Sequence, residues 1–156
     1  MTSPRRLPDR QHMLMALELA REAFDAGEVP VGAVVAAANG DVVAMARNRM
    51  REAADPTAHA EMLAIRAAAA LAGSGRLTGC DLYVTLEPCA MCAAAISFAR
   101  IRRLYYGAED IKQGAVDSGP RLYRSPACHH APEVYGGIRA TDAADLMKRF
   151  FAARRE

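Results

Sequence analysis

Residues 81–106 read DLYVTLEPCAMCAAAISFARIRRLYY, and this stretch decides the fold. Asp81 to Leu86 is a short, largely apolar run and predicts a strand. Pro88 has no N–H to leave unpaired and suits the first position of a helix, which the Ala-rich segment continues to about Ala99. Ile101 to Tyr106 predicts a second strand. Upstream, Val29 to Ala38 and Val42 to Ala46 are apolar runs joined by Asn39-Gly40, a pair that accepts positive φ at both positions of a tight hairpin turn.

The alternation continues outward. From Asp9 to Gly27, Met13, Leu17, Ala20 and Phe24 recur every three or four residues and predict an amphipathic helix, with Asp9 as cap and Gly27 as close. Asp55-Pro56-Thr57 stops the chain, Thr57 offers a cap, Ala58 to Ala72 predicts a helix, and Gly73-Ser74-Gly75 ends it. Asp110 to Ala131 reads as loop, Glu133 to Ile138 as a last strand, and Thr141 to Arg155 as a final helix. Helices alternating with strands after an opening hairpin predict a three-layer α/β/α fold. Its mixed sheet has about five strands and helices on both faces, in a single domain over residues 1–156.

Composition agrees. The 156 residues are 52% hydrophobic and 24% charged, which excludes disordered and collagen-like chains. No apolar run reaches the ~20 residues of a membrane span. Met1 to Arg10 carries Arg5, Arg6 and Arg10, and no apolar core of a signal peptide follows. A cytoplasmic protein with no membrane partner is expected. Net charge is +2, unevenly placed: Lys148, Arg149, Arg154 and Arg155 against Glu156 give +3 at the end, and all that precedes sums to −1. A basic end on a near-neutral body suits an anionic partner, and equally a solvated last helical turn.

Two segments carry chemistry, His59-Ala60-Glu61 and Pro88-Cys89-Ala90-Met91-Cys92, each at the start of a predicted helix. Cys89 and Cys92 are spaced i, i+3 and share a face, so both thiols can grip one ion. A helix start favours thiolate over thiol. One His and two Cys leave the fourth tetrahedral position of zinc to water, as in a catalytic site. Two thiolates and a neutral imidazole bring formal charge to zero, so the water is acidified less than at a three-histidine site and needs a proton acceptor. Glu61, two residues from the histidine, is that group. The alternatives are a redox Cys-x-x-Cys, or a closed structural site with Cys128, His129 or His130 as fourth ligand; neither gives Glu61 a role. Cys80 and Cys128 have no spaced partner and read as small buried hydrophobes.

His-x-Glu followed by Pro-Cys-x-x-Cys is the zinc deaminase signature. With Glu28-Val29-Pro30-Val31-Gly32-Ala33-Val34, Asp55-Pro56-Thr57-Ala58-His59-Ala60-Glu61 and Tyr83-Val84-Thr85-Leu86-Glu87-Pro88-Cys89, the chain resembles the bacterial tRNA-specific adenosine deaminases of the cytidine/deoxycytidylate deaminase superfamily. The resemblance runs from about Met13 to Arg155. It implies a cytidine deaminase-like fold and hydrolysis of wobble adenosine to inosine in a tRNA anticodon stem-loop. It also implies one Zn2+ per subunit on His59, Cys89 and Cys92, with Glu61 as proton shuttle, and a homodimer. By the same resemblance Asn48 holds the flipped base, Asp110 and Lys112 contact nearby RNA, and Arg149, Phe150, Arg154 and Arg155 meet the anticodon stem-loop. Adjacent Phe150 and Phe151 cannot both face one way. The chain departs from the family pattern at His129-His130-Ala131, where many members read Asn-His-Arg, and in the preceding loop from Gly119 to Cys128. Two rivals share the metal motif: a deaminase of free bases or nucleosides of guanine or cytosine type, and a zinc-stabilised RNA-binding module without catalysis.

Overall fold

A computed structural model describes residues 10–154. Helix α1 (Arg10–Asp25) leads into strands β1 (Gly32–Ala36) and β2 (Val42–Arg47), helix α2 (Ala60–Ala72), strand β3 (Asp81–Leu86) and helix α3 (Ala90–Phe98). Strand β4 (Arg103–Ala108), a short 3-10 turn (Leu122–Arg124), strand β5 (Glu133–Tyr135) and helix α4 (Ala140–Ala153) complete it. The sheet is five-stranded, in the order β2-β1-β3-β4-β5. β1 runs antiparallel to β2 and β3, while β3, β4 and β5 are mutually parallel. The predicted mixed sheet and three layers are borne out.

Strand alternation divides the core between the two faces. Val35, Leu82, Val84 and Leu104 pack with Ala60, Ala64, Ala68, Ala93 and Ile96 of α2 and α3. Val34, Tyr83 and Tyr105 pack on the other face with Met13, Leu17 and Ala20 of α1 and Ala143 and Leu146 of α4. The alanines that gave α2 its helix propensity also let it lie close on β1 and β2. No helix among the described residues is long and apolar enough to cross a membrane.

Several expectations need correction. The hairpin turn is a three-residue loop rather than a two-residue one. Ala37 donates its N–H to Asp41 O and Gly40 donates to Ala37 O, and within Ala38-Asn39-Gly40 only Gly40 has positive φ, at 97°. Asn39 Oδ1 accepts the Asp41 N–H at 2.9 Å, which fixes that shape. Thr57 does not cap α2: its N–H and hydroxyl both donate to Asp55 Oδ1 at 2.8 Å, and the cap falls on His59. Pro88 lies one residue before the α3 cap, Cys89, rather than inside the helix. β4 begins at Arg103 instead of Ile101, because Ile101 still donates its N–H back to Ile96 O at the helix exit. β5 stops at Tyr135, short of Ile138, where Gly136 and Gly137 break the run. Asp9, the expected α1 cap, lies outside the described residues.

Candidate active site

His59 and Cys89 occupy equivalent positions, as the N-caps of α2 and α3. Both backbones are extended (φ −74°, ψ 151° and φ −72°, ψ 176°), and neither side chain makes the usual cap hydrogen bond. The side chains meet instead. His59 Nδ1 lies 3.6 Å from Cys89 Sγ and 3.4 Å from Cys92 Sγ. Their three ligand atoms fall within 4.8 Å of one another. With Zn–S and Zn–N bonds of about 2.3 and 2.0 Å, the N···S edge of a zinc tetrahedron is about 3.6 Å, so the donor set fits this ion.

Electrostatics point the same way. Cys89 is pushed down to about 4, first by the Cys92 thiol, with His59 and the Cys92 N–H adding to it. Cys92 is pushed up by the neighbouring Cys89 and by burial. Beside them the Cys89 sulfur raises the His59 imidazole. These are three donors competing for protons at two helix starts, an arrangement that a divalent cation relieves. Glu61, in the first turn of α2, is 4% exposed, and burial raises its carboxyl above the usual range.

A cavity of about 910 Å³ is lined by His59, Glu61 and Cys89, its floor here, and also by Lys148, Phe151 and Arg154, its wall. Asn48 follows the last residue of β2, is 4% exposed, and lines the cavity. Its backbone is held at both ends: its N–H donates to Val31 O and its C=O accepts from Arg47. Among the described residues its side-chain Oδ1 has no hydrogen-bond partner. A buried acceptor of this kind costs free energy until a ligand donates to it.

Asp110 and Lys112 both line the cavity, and the Asp110 carboxylate accepts the Gln113 N–H at 3.1 Å. Phe150 is not where the resemblance puts it. Spacing along α4 turns Ala143, Leu146 and Phe150 inward, and Phe150 packs edge-on against Phe24 at 5.9 Å. Phe151, 46% exposed, is the ring on the cavity wall. Arg149 pairs with Asp145 at 2.9 Å and is outside the lining. Arg154 lines the cavity while stacking over the Phe150 ring at 4.1 Å and donating to Gly27 O. Arg155 lies outside the described residues. Cys128 and His130 engage elsewhere: Cys128 Sγ donates to His130 O, and His130 Nε2 meets Ile101 O at 2.7 Å. Gln113, Lys148 and Phe151 are among the lining residues outside the expected site set, as are Met50, Glu87 and Met147. The inward spacing of Ala143, Leu146 and Phe150 is the signal that leaves Lys148 and Phe151 for the cavity.

Residues 7–108 match the model of the cytidine and deoxycytidylate deaminase zinc-binding region. The chain is 54% identical over 150 residues to a tRNA-specific adenosine deaminase of Agrobacterium fabrum, covering 96% of this chain and 98% of that one. A solved structure from a study of A-to-I editing by tRNA:A34 deaminases at the wobble position superposes with a TM-score of 0.87 at 56% identity, covering 88% and 99% of the two chains. Guanine deaminase from Bacillus subtilis is more distant, at 31% identity and a TM-score of 0.63, with 96% of both chains covered.

Proposed function

The chain belongs to the zinc-binding cytidine and deoxycytidylate deaminase family, and on that premise we propose that it hydrolyses the 6-amino group of adenosine at the wobble position of a tRNA anticodon. The products are inosine and ammonia. One observation carries the reading: a single cavity is lined both by His59, Glu61 and Cys89 and by Lys148, Phe151 and Arg154. A free base occupies only the floor, whereas an unpaired anticodon loop uses a cationic and aromatic wall as well. A guanine-type enzyme shares the floor and leaves that wall without a role.

His59, Cys89 and Cys92 would hold the zinc, which when bound would supply Lewis acidity to the attacking water. Glu61 accepts a proton from the attacking water on its carboxylate and donates one to the departing amine, and its raised proton affinity suits both steps. Asn48 meets the flipped base: Oδ1 accepts from a base N–H and Nδ2 donates to a ring nitrogen. Asp110 and Lys112 flank the base, Phe151 offers a ring for stacking, and Lys148 and Arg154 meet phosphate. The homologues named for tRNA substrates support this partner.

The active form is a homodimer of single-domain subunits, residues 1–156, working in the cytoplasm. Leu71 and Phe98, 73% and 75% exposed near the ends of α2 and α3, are apolar side chains that a second copy would cover. Light scattering on the purified protein checks this, with a monomer mass refuting it. For the reaction, an anticodon stem-loop with adenosine at the wobble position is incubated with zinc-loaded protein and digested to nucleosides. Inosine is expected; adenosine recovered unchanged overturns the reading.

A further inference from the structure

The carboxylate of Glu87, two residues before Cys89, is 2% exposed and faces five donors. Oε1 accepts the Asp110 N–H at 3.1 Å and the Ser118 hydroxyl at 2.9 Å. Oε2 accepts the N–H groups of Val116, Asp117 and Ser118 at 3.1, 3.0 and 3.0 Å. Residues 109–118 form no regular helix or strand ladder, so these buried and half-buried amides depend on a side chain for partners. A group that served only to fill space here would be apolar, because an ionised carboxylate is costly to bury unless donors surround it.

The same loop is tied to the metal-site segment by its backbone. Ala115 donates its N–H to Pro88 O at 2.9 Å, and Gly114 forms an isolated bridge with Cys89. Gly114 is required for this approach, since a Cβ there would stand 2.5 Å from Glu87 Cδ. Between the tethered points, Asp110, Lys112 and Gln113 line the cavity.

We propose that Glu87 is a positioning residue for the substrate, mounting the 110–118 loop on the segment that carries Cys89 and so fixing Asp110, Lys112 and Gln113 against the bound RNA. The proposal rests on the anticodon stem-loop as substrate. With every lone pair engaged, the Glu87 carboxylate itself neither coordinates metal nor moves a proton.

Glu87→Gln keeps the shape and replaces an acceptor oxygen with an amide that donates. Hydrogen exchange of the amides at 110 and 116–118 is expected to quicken at least about tenfold, with α1 and α4 unchanged. The KM for the stem-loop rises about tenfold while kcat stays within about threefold. Zinc content is unchanged. Ser118→Ala removes one donor, leaves the carboxylate, and moves exchange and KM in the same direction by less; it also serves if Glu87→Gln fails to fold. Glu87→Asp, which restores the acceptor set on a shorter arm, recovers part of the lost KM. The proposal is overturned if the loop amides stay protected, if KM is unchanged while kcat falls, or if zinc is lost. Should the wild-type protein leave the stem-loop unedited, the substrate reading fails, and the exchange comparison still judges the Glu87 mount.

Discussion

His59, Glu61 and Cys89 of the cavity floor, and Cys92 buried beside them, all sit within three positions of a helix cap, whereas the rim gathers Asn48, Asp110, Lys112, Phe151 and Arg154 from a strand end, a loop and the last helix. The floor groups are fixed by local geometry. Two helix starts of the same shape bring their side chains together at His59, Cys89 and Cys92. Rim groups depend on contacts far apart in the chain: Glu87 tethers a loop centred about thirty residues downstream, and Arg154 reaches across to Gly27. On the proposed function the floor supplies the deamination chemistry and the rim sets what reaches it.

Substitutions at the floor should act on turnover and leave RNA binding alone. The largest effect is expected for Glu61→Gln, which removes the proposed proton shuttle and should lower kcat on the stem-loop by at least about a thousandfold. Affinity for the stem-loop and zinc content remain, and residual turnover near wild type would refute the shuttle. Chelation of the metal should abolish activity reversibly and lower the melting temperature, because His59, Cys89 and Cys92 leave a charged, partly buried cluster behind. Calorimetry with and without chelator checks this; an unchanged transition means that these donors do not hold the ion.

Rim substitutions should act on recognition. Asn48→Ala removes the orphaned buried acceptor, and kcat/KM on the stem-loop is expected to fall about tenfold to a hundredfold with zinc content unchanged. The two phenylalanines separate packing from recognition. Phe150→Ala costs about 3–5 kcal/mol of stability by opening a cavity beside Phe24, measurable by denaturant unfolding. Phe151→Ala leaves stability within about 1 kcal/mol and weakens stem-loop binding by the 1–3 kcal/mol or so of one stacked base. Equal stability losses at both positions would break the assignment of Phe151 to the wall. Arg154→Ala has the smallest effect, reducing the salt dependence of binding by about one phosphate contact.

Much of the fold was legible because it is written locally. The bounds of β3 coincide with its apolar run, and the order of helices and strands follows from period and punctuation. Element starts were misplaced where a side chain or a helix exit claimed the backbone: Asp55 engages Thr57, and the Ile96 carbonyl holds Ile101 back from β4. At the site, the spacing of His59 to Glu61 and of Cys89 to Cys92 announced the floor. Phe150 and Phe151 are adjacent; the spacing of Ala143, Leu146 and Phe150 is the one trace of which turns inward, and the packing of α4 on α1 completes it. Glu87 and Glu28 are bound to backbone amides at least 23 residues away, and no residue type marks such a contact in sequence.

The division between floor and rim is tested most directly by ammonia release from the zinc-loaded protein. It is offered, in parallel, an anticodon stem-loop with wobble adenosine, free adenosine, guanine and cytosine. Turnover on the stem-loop alone is predicted, since the floor reacts only with a base that the rim has delivered. Turnover on a free base with none on the stem-loop would contradict the account, leaving the metal chemistry in place and removing RNA from the function of the rim.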